Sequence, residues 1–163
     1  MEIEEITSSG GEPQRLSPEE FLETFKKVPR LAVNLIITDP DGRVLLTRRS
    51  IPPFPGSWHF PGSFILKNEP ITDTQKRVAR DEFGLELDDQ SEMSLLGAFD
   101  DLDGDPRGHV VDLAYGLTIE DPSQIKPTKE TSEAMFFDRD KLPKDIGFNH
   151  RDTLHKLGYT DEQ

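Results

Sequence analysis

The sequence predicts an α/β sandwich, with a mixed, mainly antiparallel sheet held between helices. Three observations predict it. Short runs rich in Val, Ile, Leu and Phe, such as "LAVNLIIT" and "RVLLTRR", recur between breaks made of Gly, Pro and Asp. Capped helical stretches stand before, within and after those runs. A chain of 163 residues, 33% of them apolar, is long enough to bury a sizeable core in one domain. Residues 1–15 are polar and Gly-containing and are expected to be a flexible N-terminal segment; residues 16–163 are expected to form one domain.

In chain order, "LSPEEFLETFKK" opens the first helix. Ser17 caps it, Pro18 suits its first position, Glu20 completes a capping box, and Phe21, Leu22 and Phe25 make its apolar side. Two strands follow at 31–38 and 43–49, joined by the tight turn Asp39-Pro40-Asp41-Gly42. "SIPPFPGSW" is a rigid loop with three prolines, and "WHFPGSFIL" a short strand and loop. The second helix is expected over 73–83, with Thr72 as its cap, Gln75 three residues on and Gly84 as its left-handed stop. A strand, an acidic loop at 100–108, a long strand at 109–119 and a further strand with a short helical turn at "AMFFDRDKLP" come next. A last helix in "FNHRDTLHKLGY" turns Leu154 and Leu157 inward.

Composition excludes several classes of function. A net charge of −13 opposes non-specific binding to nucleic acid, so no nucleic-acid partner is expected. No apolar run reaches the roughly 20 residues that span a bilayer, and the opening residues do not read as a signal peptide. No membrane partner is expected, and a cytoplasmic location is. With no cysteine there is neither a disulfide nor a thiolate nucleophile or zinc ligand. No Ser or Thr stands in a nucleophile context.

Chemistry concentrates in "RVARDEFGL", residues 77–85, at the end of the second helix. Asp81 and Glu82 are neighbours about 100° apart on a helix, with Val78 one turn below. A Gly-Ser pair, Gly62 and Ser63, precedes the helix and can bring main-chain carbonyls close. Two carboxylates with a carbonyl oxygen make a hard, oxygen-only site suited to Mg2+ or Mn2+, which can clamp a diphosphate and polarise water.

The spacing across this segment resembles the Nudix box, Gly-x5-Glu-x7-Arg-Glu-U-x-Glu-Glu-x-Gly-U, with U a bulky aliphatic residue. The register fits without a gap: Glu69, Arg77, Glu82, Gly84 and Leu85 match. Ser63 stands for the first Gly, Val78 for the Glu after the Arg, Ala79 for the aliphatic residue and Asp81 for the next Glu. "DGRVLLTRRSIPPFPGSWHFPGSF" resembles the family's lead-in, and the resemblance covers roughly residues 30–157. "GDPRGHVVDLAYGLTI" and "LPKDIGFNHRDTL" look most like the ADP-ribose pyrophosphatase branch, while "KNEPITDTQKRVARDEFGL" also resembles GDP-mannose mannosyl hydrolase.

The resemblance implies a Nudix-type α/β/α sandwich. It implies a catalytic unit of Glu82, Asp81, Glu69 and Arg77, in which Asp81, Glu82 and the Ser63 carbonyl hold Mg2+ or Mn2+. Glu69 and Arg77 would be the ion pair that fixes loop to helix. Valine at 78 can neither bind a cation nor take a proton, so a base would come from elsewhere: the loop acids Asp100, Asp101, Asp103 and Asp105, or Glu130 and Glu133. Restoring the acid by Val78→Glu is expected to raise metal affinity. Arg49 matches a phosphate-reading arginine; Phe54 and Trp58 are candidate stacking residues for a base, and Arg107 a further ligand candidate. His59, beside Trp58, lies near the site in a structural place, and His109, His150 and His155 show no ligand spacing. The expected substrate is a small nucleoside diphosphate linked to another group, ADP-ribose-like. The alternatives are a non-catalytic nucleotide-binding domain and a GDP-sugar hydrolase acting at the glycosyl carbon. Relatives of this kind are often homodimers, which the resemblance alone suggests.

Overall fold

The computed structural model describes residues 11–129 and 131–161. Most of the N-terminal segment, and Glu130, lie outside the described residues. Three α-helices and seven strands follow one another: α1 (Pro18–Phe25), β1 (Arg30–Thr38), β2 (Val44–Arg49), β3 (Trp58–His59), β4 (Gly62–Phe64), α2 (Ile71–Phe83), β5 (Ser94–Asp101), β6 (Val110–Thr118), β7 (Thr131–Phe137) and α3 (His150–Lys156). The strands form one mixed sheet in the order β3-β2-β1-β6-β5, with β4 also on β1 and β7 also on β2. Among the described strands the central β1–β6 pair is parallel, from Arg30↔Val110 to Thr38↔Thr118, and the other strand pairs are antiparallel.

Strand parity decides what each face covers, because side chains alternate across a sheet. Val33, Leu35 and Ile37 of β1 pack with Leu45 of β2 against Val78, Ala79 and Phe83 of α2. Ile36, Val44, Leu46 and Ala114 face the other way, onto Trp58, Phe60 and Leu154 of α3. Ala32 and Val110, further along that second face, meet Phe25 of α1. Burial on both faces explains why "LAVNLIIT" reads as an unbroken apolar run, as a strand with a parallel neighbour should.

Local sequence accounts for most boundaries. Ser17 Oγ accepts the Glu20 N–H at 3.2 Å and Pro18 takes the first turn of α1, as expected. Asp39 ties the β1–β2 turn by accepting the Asp41 and Arg43 N–H groups at 3.0 and 2.9 Å. Gly84 ends α2 at φ 65°, the left-handed stop its position predicts.

Two expectations need correction. Thr72 is not the cap of α2: the helix begins at Ile71 with Pro70 before it, and its first turn is held by Thr74 Oγ1, which donates to Glu69 Oε1 at 2.7 Å. Leu22 is half exposed, because Phe21 and Phe25 alone turn toward Phe64.

The sheet splits where the chemistry sits. β1 and β2 pair only at Thr38↔Val44; beyond that point β4 takes the edge of β1 (Asn34↔Gly62) and β3 the edge of β2 (Thr47↔His59). The divergence opens a gap in the middle of the sheet. The loop–helix unit carrying the box stands beside it.

Candidate functional site

Arg77 fixes this loop–helix unit. Its Nε and Nη2 donate to Glu69 Oε2 and Oε1, each at 2.8 Å, Nη1 donates to Ser63 Oγ at 3.0 Å, and Nη2 also reaches the Phe64 carbonyl at 3.0 Å. Glu69 further accepts the Leu66 N–H at 3.2 Å and the Thr74 hydroxyl. Burial opposes the charge on Glu69, but the Arg77 hydrogen bonds, with those from Thr74 and Leu66, outweigh it and bring its pKa down to about 2. The pair thus clamps β4 to α2, with both side chains occupied by each other and by the loop.

The clamp places Glu82 in a cleft of about 210 Å³. Glu82 is 7% exposed; its Oε1 accepts the Gly62 N–H at 3.3 Å and its Oε2 the Thr47 hydroxyl at 3.4 Å. Gly62 is required by closeness: a Cβ there would collide with Asn34 Oδ1 and stand 2.9 Å from the Val33 carbonyl oxygen. Ser63 lines the same cleft.

Asp81 lies elsewhere. Its carboxylate accepts from Arg80 Nε at 3.1 Å on an exposed surface, and it is not among the cleft's lining residues. Val78 is 1% exposed and packed in the apolar cluster under α2. A glutamate at 78 would enter that cluster, so the expectation of tighter metal binding gives way to a different one. Val78→Glu should lower stability by several kcal/mol, as burial of an unpaired carboxylate does, read as a fall in the urea midpoint. Unchanged stability with tighter Mn2+ binding would show that position 78 borders the cleft.

Among the described residues, no group of three or more His, Cys, Asp or Glu is arranged to hold a metal ion. The cleft does contain other acids. Asp101 and Asp105 of the acidic loop are 2% and 5% exposed and line it, whereas Asp100 is exposed beside His109 and Asp103 is turned to solvent. Asp105 is neutralised by Arg107, which contacts it at 2.8 and 3.0 Å. Glu133 pairs with Arg48 at 3.3 Å on the outer surface.

Two arginines reach the cleft. Arg107 lies against a cluster of three phenylalanines, Phe21, Phe25 and Phe64, at 5.3–5.8 Å from their centroids. Arg49 donates to the Pro52 and Pro53 carbonyls and stacks 5.0 Å from the Phe148 ring, which also lines the cleft. Phe54 packs on Phe148 at 5.1 Å, is itself exposed, and is not among the cleft's lining residues. Trp58 is not at the cleft: it is 4% exposed and packs on Phe137 at 4.9 Å, with Arg48 over its other side, so its place is in the core.

The residues that a reading of the box leaves out are Asn34, Asp112, His59, His150 and Phe148, all of which line the cleft. Asp112 is 5% exposed, and burial, then the neighbouring Asp101 charge, push its pKa up to about 7 against a hydrogen bond from Asn34. Asn34 and Asp112 have a sequence signature: each is a polar residue interrupting an apolar strand, in "LAVNLIIT" and "VVDLAYGL". The pairing of His59 with His150 has none, since strand β3 and the start of α3 meet only in the fold.

A family model for the NUDIX domain matches residues 28–157. An ADP-ribose pyrophosphatase from Methanocaldococcus jannaschii is 35% identical over 122 residues, covering 75% of this chain and 69% of the relative. The low-salt glycan biosynthesis protein Agl8 of Haloferax volcanii is 30% identical over 125 residues, covering 75% of this chain and 80% of its own. A MutT/nudix family protein from Enterococcus faecalis has a similar structure, with a TM-score of 0.68 at 25% identity over 86% of this chain and 68% of that one.

Proposed function

Because the chain belongs to the NUDIX domain family, we propose that it hydrolyses a small nucleoside diphosphate linked to another group, ADP-ribose-like, with the help of a divalent cation. The observation that carries this reading is Glu82, held by Thr47 and Gly62 so that a buried carboxylate lines a cleft also reached by Arg49 and Arg107. Arginine forks suit the paired phosphoryl groups of such a substrate. The similarity to an ADP-ribose pyrophosphatase supports the substrate class.

The donor set fits a magnesium-like ion in one specific way. Mg2+ is commonly held by one or two carboxylates, with substrate phosphates and water supplying the other positions. Glu82 meets that minimum and Ser63 lines the same cleft, while Asp81 is held outside it by Arg80. When bound, the ion would supply charge neutralisation at the diphosphate and activation of water. The chain's own residues orient the phosphates through the arginines and hold the Glu82 carboxylate in place. Asp101 and Asp112 offer buried acids within the same cleft for proton transfer.

Cation and substrate should therefore bind together. Mn2+ is expected to bind weakly to the free protein, and at least about tenfold more tightly once a non-hydrolysable nucleoside diphosphate is present, as followed by electron paramagnetic resonance. Turnover of a panel of nucleoside diphosphate sugars in Mg2+ tests the activity itself. A chain that binds these ligands saturably and releases no product would be a binding domain, the reading favoured by the apolar place of Val78 and the outward turn of Asp81.

A further inference from the structure

His59 and His150 line the cleft and are each 5% exposed, with ring centroids 6.1 Å apart and planes 16° from parallel. Their hydrogen bonds fix where each proton sits. His150 Nδ1 accepts the Phe60 N–H at 3.0 Å, so its proton is on Nε2. Around His59, the Thr47 hydroxyl has a single proton. A carboxylate only accepts, so that proton goes to Glu82 Oε2. The 3.2 Å contact between Thr47 Oγ1 and His59 Nε2 must then be donated by the histidine. Both rings are thus Nε2–H tautomers, and His59 Nδ1 is a bare acceptor. Among the described residues, the hydrogen bonds of the two rings are the one between His59 Nε2 and Thr47 and the one that His150 Nδ1 accepts from Phe60.

We propose that His59 Nδ1 and His150 Nε2–H act as a neutral acceptor–donor pair that reads an uncharged polar edge of the bound ligand, one presenting a hydrogen-bond donor beside an acceptor. This rests on the reading of the cleft as a nucleoside diphosphate site. The pair's chemistry suits a nucleobase edge or a pair of sugar hydroxyls. It does not suit phosphate oxygens, because a bare ring nitrogen and an anionic oxygen repel. The arginines and the histidines accordingly divide the ligand between them. Burial, with His150 and Arg49 nearby, pushes the His59 pKa well below the usual range. Burial and Arg49 bring that of His150 to about 3. Both rings are therefore uncharged when a ligand arrives.

The tautomers are read without any ligand, from nitrogen-15 shifts of histidine-labelled protein. Both rings are expected to be neutral with the proton on Nε2; a His59 proton on Nδ1 would overturn the pair. Two variants then separate the structural from the recognising nitrogen. His59→Gln keeps a donor for Thr47 and loses the Nδ1 acceptor; His150→Asn keeps an acceptor for the Phe60 N–H and loses the Nε2 donor. By calorimetry with Mg2+ and a non-hydrolysable ADP-ribose analogue, each is expected to weaken binding of the analogue about three- to tenfold, the worth of one hydrogen bond, and to leave inorganic pyrophosphate binding unchanged. Loss shared by AMP but not by ribose 5-phosphate places the pair on the adenosine half of the ligand, and loss shared by ribose 5-phosphate places it on sugar hydroxyls. Variants that bind all of these as the unaltered chain does overturn the proposal. An unaltered chain that binds none of them overturns the functional reading instead, and the ligand assigned to the pair with it.

Discussion

Glu82→Gln is expected to lower turnover of a nucleoside diphosphate substrate by about two to four orders of magnitude, which is several kcal/mol of barrier. The change removes one negative charge while keeping the side chain's size. The amide oxygen can still accept from Thr47 or from the Gly62 N–H, but not from both, because its other end now carries hydrogens. A small drop in the melting temperature should accompany the loss, and a circular dichroism melt separates it from unfolding. Asp81→Asn is the informative partner. With Asp81 held by Arg80 outside the cleft, its loss of rate should be much smaller. Equal losses from the two variants would restore the adjacent pair that the helix spacing suggests.

The largest effect on stability is expected from Arg77→Ala. It breaks four hydrogen bonds and leaves Glu69 as a buried charge without its partner, a loss of about 3–5 kcal/mol in urea unfolding. The pH dependence tests the cause. Glu69 is depressed in the folded state from 4.5 to about 2. Its contribution is therefore fully present above pH 4.5 and is lost as the pH falls from there toward 2, at most about 3 kcal/mol in all. In the Arg77→Ala variant that slope should flatten. A variant as stable as the original, with the same acid limb, would mean that loop and helix hold together by packing alone.

Much of this was legible in the sequence because local rules and tertiary packing agree. The Asp39–Gly42 turn, the Ser17 cap and the Gly84 stop each depend on residues within one turn of one another, so spacing alone reveals them. The Glu69–Arg77 clamp is also visible, since seven residues of fixed register separate its partners. The start of α2 departs from its spacing because Thr72 is a good cap by type, while Pro70 and the Glu69–Thr74 bond set the boundary two residues earlier. What periodicity could not show is which acids face inward. Asp81 and Glu82 are adjacent in sequence, yet one meets Arg80 and the other Thr47. Trp58 likewise has a side chain suited to stacking, but β3 turns it into the core beside Phe137. The histidine pair and the Asn34–Asp112 contact join residues about 80–90 positions apart, a distance over which sequence spacing carries no information.

Hydrolysis of ADP-ribose in oxygen-18 water, with Mg2+ present and the products weighed by mass spectrometry, puts the whole account to trial in one experiment. Attack at phosphorus in the cleft beside Glu82 predicts AMP and ribose 5-phosphate, with the heavy oxygen in a phosphoryl group of one of them. Absence of product, or the label recovered on a sugar carbon when a GDP-sugar is supplied instead, would contradict it.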